Sequence, residues 1–276
     1  MKIFRSRGRN DAGQQTGSPL AQAIALYQAG RYAEAEAEAR AVAAARPRPR
    51  DDHHAQLALS IAALATGAQG RHAEAVTAYD ALLPVFGRIF GAEHPQTLKL
   101  RSDRAQSLSA LARHAECEAE CAAVARVAAR GKGPEMPLIA AAARNGLIYA
   151  LNAQGRHPEA EALAREALAA HREPDRFMVV LRLGLARSLN GQSRHEEALA
   201  EAERTGELHR GLPEEQRGPE TGAVQLATAT ALLGLDRSTE ARTHAEAAHT
   251  ACLVAFGPTH HRTSEARELL DRMQGA

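Results

Sequence analysis

The hexapeptide GRYAEA at Gly30–Ala35 returns along the chain as GRHAEA at Gly70–Ala75, ARHAEC at Ala112–Cys117 and GRHPEA at Gly155–Ala160. Looser copies are SRHEEA at Ser193–Ala198 and DRSTEA at Asp236–Ala241. The shared arginines stand at positions 31, 71, 113, 156, 194 and 237, a period of about 41 residues. A unit of this size cannot bury its apolar face alone. Repeating it commits the chain to stacking each copy on the next.

The residues around each arginine say what the unit is. Eight positions before it stand Ala23, Ala63, Ala105, Ile148, Ala186 and Ala229; five before it stand Leu26, Thr66, Leu108, Leu151, Leu189 and Leu232. A small residue followed three later by leucine is one face of a helix. The small residue admits a partner helix while leucine fills the seam. After each arginine, Glu follows at the third position and Ala or Cys at the fourth, opening a second amphipathic helix. The unit reads as helix, tight Gly-Arg turn, helix. Composition agrees: alanine, the best intrinsic helix former, makes up more than a fifth of the 276 residues, while aromatics reach 3% and Trp is absent. Between units lie stop signals: RPRPR at 46–50, GKGPEMP at 131–137, REPD at 172–175 and RGLPEEQRGP at 210–219. Proline lacks the N–H that a helix needs and glycine supplies the left-handed residue after a helix end.

A second motif recurs at the same phase, as FGAEHPQTL from Phe90 to Leu98 and FGPTHHRTS from Phe256 to Ser264. Phe90 is expected to close a second helix against its neighbour and Gly91 to take the C-terminal cap. Pro95 belongs in the first turn of the next helix. In that frame His94 is a capping or surface residue.

The pattern G-R-Y/H-x-E-A behind an alanine- and leucine-lined helix resembles the tetratricopeptide repeat. The long period and the FGAEHPQTL loop are similar to its kinesin-light-chain-type subfamily. The resemblance covers about residues 19–258 and implies an all-α, right-handed α-solenoid of six helix-turn-helix repeats. Approximate bounds are 19–50, 51–93, 94–136, 137–174, 175–218 and 219–258, after a basic and polar tail over 1–18. A capping helix is expected in 259–276, where HHRTSEARELLDRM reads as the first helix of a truncated unit with a polar face for solubility. Departures exist: unit one lacks the histidine-proline loop, Asp236 replaces glycine in unit six, and the consensus tyrosine after the turn is mostly histidine.

The formal charge of +1 creates no global field for nucleic acid or acidic membranes, and neither is expected as a partner. The basic residues are arginine except Lys2, Lys99 and Lys132, which together with the alanine content reads as the coding bias of a GC-rich bacterial genome. Three cysteines are too few for a disulfide framework and suit a reduced cytoplasm. No apolar signal run follows MKIFRSRGRN. The most apolar stretch, 55–70, is interrupted by Gln56, Ser60 and Thr66 and is too short and polar to span a bilayer. A cytoplasmic protein is the expectation.

His114, Cys117 and Cys121 share one helical face, a pattern a soft metal can use. In every other unit, however, the position of Cys117 is alanine, and that of Cys121 is Ala39, Tyr79, Ala164, Ala202 or Ala245. Both cysteines therefore read as small packing residues, and no metal or cofactor is expected. The pairs His53-His54 and His260-His261 lack the i, i+4 spacing of helical metal ligands. No nucleotide-binding, nucleophile-elbow or zinc-protease motif is present, and no catalysis is expected. Lys2, Arg5, Arg7 and Arg9 have no aromatic stacking residues beside them and read as a flexible tail.

One stripe varies between units in a way packing does not require. At about 100° per residue, positions 11, 7 and 4 before each arginine lie about a quarter turn from the buried seam. By the resemblance, this stripe lines the concave groove. Unit one offers Leu20, Ile24 and Tyr27, a stripe open to weak self-association; unit six offers Leu226, Thr230 and Leu233. The middle units are polar: Ser102, Gln106, Ser109; Asn145, Tyr149, Asn152; Leu183, Arg187, Asn190. Gln106, Asn145, Tyr149, Asn152, Arg187 and Asn190 are the candidate partner-binding residues, suited to the backbone and carboxylates of an extended peptide. The expected function is a non-catalytic scaffold or adaptor for a protein or peptide partner. The alternative is a regulatory sensor that takes a signalling peptide or small molecule in the same groove.

Overall fold

Helix pairs form where the repeat places them. In the computed structural model, which describes residues 19–47, 52–258 and 260–274, fourteen α-helices and no strand occur among the described residues. The expected tail over 1–18 and the end of the RPRPR link lie outside the described residues. Six pairs follow in order: α1 Pro19–Gln28 with α2 Tyr32–Ala44, α3 His53–Ala68 with α4 His72–Ile89, and α5 Pro95–Ala110 with α6 His114–Arg130. Then come α7 Met136–Ala153 with α8 His157–Ala170, and α9 Arg176–Gly191 with α10 His195–Gly211. After a short helix α11, Glu214–Arg217, the sixth pair is α12 Ala223–Gly234 with α13 Ser238–Phe256, and α14 His261–Gln274 stands alone as the cap.

Each pair is hinged at the Gly-Arg turn. The residue before the arginine has positive φ in all six units: Gly30, Gly70, Ala112, Gly155, Ser193 and Asp236. The arginine N–H then donates back to the carbonyl five residues earlier, as in Arg31 to Leu26 and Arg113 to Leu108, both at 2.9 Å. This closes a Schellman cap on the first helix. The arginine side chain adds an ion pair to the glutamate three residues on, as in Arg113–Glu116 and Arg237–Glu240 at 2.7 Å. The recurring glutamates thus support the turn, as their position suggests.

The seam is lined as the spacing predicts. The small residues eight positions before each arginine are all buried, and the residues five before it are buried in every unit except the first, where Leu26 is half-buried. Across the turn, Ala35, Ala75, Cys117, Ala160, Ala198 and Ala241 are also buried. The apolar residues form a series of clusters handed from unit to unit instead of one core. Each first helix packs on the first helix of the next unit as well as on its own partner. The first helices therefore share one layer and the second helices another.

A polar clamp joins some units. Glu36 on α2 accepts from Gln69 and Arg71 of the next unit; Glu118 on α6 accepts from Gln154 and Arg156, and Glu161 on α8 from Gln192 and Arg194. The Gln154 amide and Arg156 guanidinium hold Glu118 below the usual carboxylate range. At the other two junctions the glutamate is replaced by Val76 or Leu199, and the glutamine by Leu111 or Leu235. Polar and apolar partners thus change together.

The two FG loops share one geometry. Gly91 and Gly257 have positive φ, and Thr97 and Thr263 donate their hydroxyls to the carbonyls of those glycines at 2.8 and 2.9 Å. Phe90 stacks on His94, and Phe256 on His260. His94 Nδ1 accepts from the Gln96 N–H, and His260 Nδ1 from the Arg262 N–H. His94 is the N-cap of α5, the punctuation its loop implies.

The link before unit six folds further than its stop signals suggest. It contains α11 and a 3₁₀ turn, Gly218–Glu220, and α12 begins only at Ala223. Gly222 turns the chain at φ 74°, where a Cβ would sit 2.4 Å from Cys252 Sγ, so only glycine fits. Within the turn, Glu220 is buried and receives Arg176 from α9 at 3.0 Å and Arg262 from α14 at 2.8 Å. One carboxylate thereby joins units five, six and the cap. Arg242 on α13 closes the other end of α14 by donating to the Met273 carbonyl at 3.0 Å.

Two predictions follow from the turns and loops. Ala112 carries a Cβ in the left-handed region, whereas a Cβ added to Gly155 would meet open space, so both positions isolate the backbone cost. Ala112→Gly should stabilise the protein by about 0.5–1 kcal/mol and Gly155→Ala should destabilise it by about as much. Urea midpoints at unchanged slope measure both. Burial, with His261, Arg262 and His72 adding positive charge, lowers His260 to about 4. A depressed histidine keeps its stabilising effect at neutral pH and loses it as pH falls from about 6.5 through 4. Amide exchange of α14, corrected for intrinsic rates, should rise over this window in wild type and rise less in His260→Asn.

Candidate binding groove

The first helices face inward. Helix axes in contact lie about 8–10 Å apart, so α9 and α14, separated by α12, would be too distant for their side chains to meet in a flat row. Yet Arg187 on α9 reaches Glu265 on α14 at 2.7 Å. The layer of first helices is therefore the concave side. Arg187 and Tyr149 of the candidate stripe lie on it.

In unit three, Gln106 is exposed and makes no side-chain hydrogen bond among the described residues. Ser102 is turned back onto the Leu98 carbonyl of its own helix. Beside them, Lys99 and Asp103 form an ion pair at 2.8 Å. Burial raises the Asp103 carboxyl above its ordinary value despite Lys99. Tyr27 of unit one is pushed up to about 12 by burial, Tyr32 and Asp103.

Units four and five divide into two kinds of residue. Asn145 is half-buried and has no side-chain hydrogen bond among the described residues. Tyr149 lies under the Arg187 guanidinium, 5.1 Å from ring centroid to carbon, within range of a cation–π contact. Although burial opposes its charge, Glu265 and Tyr149 raise the Arg187 pKa above its ordinary value. These residues present unused or exchangeable polar groups to the groove.

Asn152 and Asn190 do not. Asn152 is buried and donates to the Gly184 carbonyl at 3.2 Å and the Ser188 hydroxyl at 3.0 Å, both on α9, while its oxygen pairs with His157 Nδ1 at 3.0 Å. Asn190, half-buried, repeats part of the arrangement more loosely, at 3.5 Å to the Ala227 carbonyl and 3.2 Å to His195 Nδ1. Asn152, expected to contact a ligand, is thus enclosed between units four and five, while Asn190 is engaged but remains half-exposed on the stripe. The signal that could have shown this is the recurring Asn-x₄-His spacing, which pairs each asparagine with the histidine after its turn. Units two and three have Gly67 and Ser109 instead, and there His72 and His114 leave Nδ1 buried without a partner among the described residues. The histidine rings also set their neighbours: a Cβ on Gly191 would meet His157, and one on Gly234 would meet His195, within 2.4 Å.

The cysteine face is a packing site. Cys117 and Cys121 are buried with Ala105, Leu108 and Val76, their sulfurs 4.0 Å apart. Gly146 leaves the room that Cys121 occupies. Among the described residues no group of three or more His, Cys, Asp or Glu is arranged to hold a metal ion, and no helix is long and apolar enough to cross a membrane.

Asn152→Ala should destabilise the fold by about 1–3 kcal/mol, because it strands His157 Nδ1 and removes the two bonds to α9, where the Ser188 hydroxyl and the Gly184 carbonyl keep their own bond. Thermal unfolding together with circular dichroism of the folded state measures this. A loss below about 0.5 kcal/mol would return Asn152 to the groove.

No curated protein sequence matches this chain significantly. Similar solved structures include a Podosopora anserina protein with nearly identical TPR-like repeats of the kinesin light chain kind, 21% identical, TM-score 0.58, covering 69% of this chain and 92% of that one. BtubC (BKLC) from P. vanneervenii is 15% identical with TM-score 0.57 and covers 94% of both chains. Bacillus thuringiensis PlcR, solved with the peptide PapR7 and DNA, is 15% identical with TM-score 0.57, covering 80% of this chain and 74% of that one. At these identities the likeness is one of fold. Family models described as tetratricopeptide repeat match residues 20–91 and 141–173. The chain is thus an α-solenoid of six hinged helix pairs and a cap, in which residues 20–91 and 141–173 match the tetratricopeptide repeat.

Proposed function

We propose that this protein is a non-catalytic scaffold that binds an extended segment of a protein partner along its concave face, in units three to five. The observation that carries this reading is the contrast within one stripe. Asn152 and Asn190 are committed to the fold, whereas Gln106 and Asn145 keep their amides free of side-chain partners among the described residues, beside Tyr149 and Arg187. Amides of this kind pair with a peptide backbone, and a guanidinium over an aromatic ring takes a carboxylate. The carboxylates in the groove, Asp103 and Glu265, are paired with Lys99 and Arg187; that environment suits recognition better than acid–base work. A cytoplasmic location fits this role.

A second reading, a sensor for a signalling peptide or small molecule, has one observation in its favour. The Arg187–Glu265 contact spans two units, so a ligand that breaks it can change the curvature of the array. A protein with a related fold, PlcR, was solved with a peptide.

The test uses the full chain as bait in a lysate of its native organism, with Gln106→Ala/Asn145→Ala/Arg187→Ala as the comparison. A partner retained by wild type and reduced at least tenfold by the variant supports the scaffold. A partner held equally by both places binding elsewhere. Ligand-induced compaction by small-angle scattering without a captured protein favours the sensor.

A further inference from the structure

The capping helix is held by two kinds of contact. Arg262 meets the buried Glu220, whose side chain is 3% exposed, whereas the Arg187–Glu265 pair is only half-buried, its side chains 40% and 41% exposed. The Thr263 hydroxyl and the Arg242–Met273 contact also fix α14, and neither involves Glu265. A buried pair is costly to break because it strands a charge, while a pair open to water contributes at most about 1 kcal/mol. The cap can therefore keep its place while Glu265 lets go of Arg187.

Glu265 also stands where a ligand would. It accepts from Arg187 Nη2 at 2.7 Å, and the same guanidinium lies over the Tyr149 ring, on the helix that carries Asn145. Asp103, the other carboxylate placed on this face, is held by Lys99. Arg187, by contrast, takes its carboxylate from beyond the neighbouring unit, on the capping helix.

We infer that Glu265 is a built-in competitor: it occupies on Arg187 the position of a carboxylate from an acidic peptide, and binding exchanges one carboxylate for the other while α14 stays docked. This rests on the scaffold reading of the same groove and specifies the partner's chemistry as an extended segment bearing Asp or Glu. Selectivity follows, since a neutral segment gives Arg187 nothing in return for Glu265.

The experiment is fluorescence anisotropy with a fluorescein-labelled octapeptide of alternating glutamate and glycine, and its glutamine counterpart as control. Wild type should bind the acidic probe in preference to the control. Glu265→Gln should bind it about two- to fivefold more tightly, the equivalent of removing an ion pair open to water. Arg187→Ala should weaken it about tenfold or more, and the double variant should match Arg187→Ala. Amide exchange should find α14 protected in Glu265→Gln and in the saturated wild type, and exposed in Arg262→Ala. Unchanged or weaker binding by Glu265→Gln would overturn the competitor, as would equal binding of the two probes. That failure is separable from failure of the scaffold, which is read from the lysate partner and the groove variant.

Discussion

Close approach of helices over alanine is the interaction on which this structure depends. An alanine seam buries little area per residue, so it stabilises only where backbones come near enough to exclude water along their whole length. Ala23, Ala63, Ala105, Ala186 and Ala229 on the first helices, facing Ala35, Ala75, Ala160, Ala198 and Ala241 on the second, provide that approach. The left-handed turn before each arginine fixes the angle at which the two helices meet. With no large core to organise the chain, every unit depends on its neighbours, and stability is close to a sum of local terms.

Polar contacts then decide how the units are joined. Where Glu36, Glu118 and Glu161 reach across, they meet a glutamine and an arginine; at the other two junctions valine or leucine stands in place of the glutamate and leucine in place of the glutamine. A mixed junction would leave an amide beside an apolar surface or a carboxylate without its donors. The same logic separates the stripe on the concave face. Asn152 and Asn190 serve the junctions through histidine and backbone carbonyls, and the neighbouring Asn145 and Gln106 make no side-chain hydrogen bond among the described residues. Glu220 applies the device at larger scale, drawing Arg176 and Arg262 onto one buried carboxylate where α12 has lost its first turns.

Much of the fold was legible because its determinants are local and repeated. The arginine with its preceding glycine, the small residue and leucine upstream, and the FG-x-x-H loop each lie within a dozen residues of what they build. The groove was less legible because its determinants are distant. Asn152 shares a helical phase with Asn145 and Tyr149, yet its role is set by Gly184 and Ser188 in the next unit. Nothing near Glu220 in sequence reveals that arginines 44 and 42 residues away converge on it. Likewise Arg187 could be placed on the concave stripe, but its contact with Glu265, 78 residues on, depends on the curvature of the whole array. Periodicity tells which face a residue shares; tertiary partners tell whether its polar atoms are still available.

The measurement that tests this account most directly is site-specific photo-crosslinking in a native lysate, with a benzophenone side chain at position 106 in the groove or at position 246 on the second-helix layer. The account predicts that one partner crosslinks from position 106 and not from position 246. A partner captured from position 246 alone would contradict it, and would move recognition to the outer layer of helices.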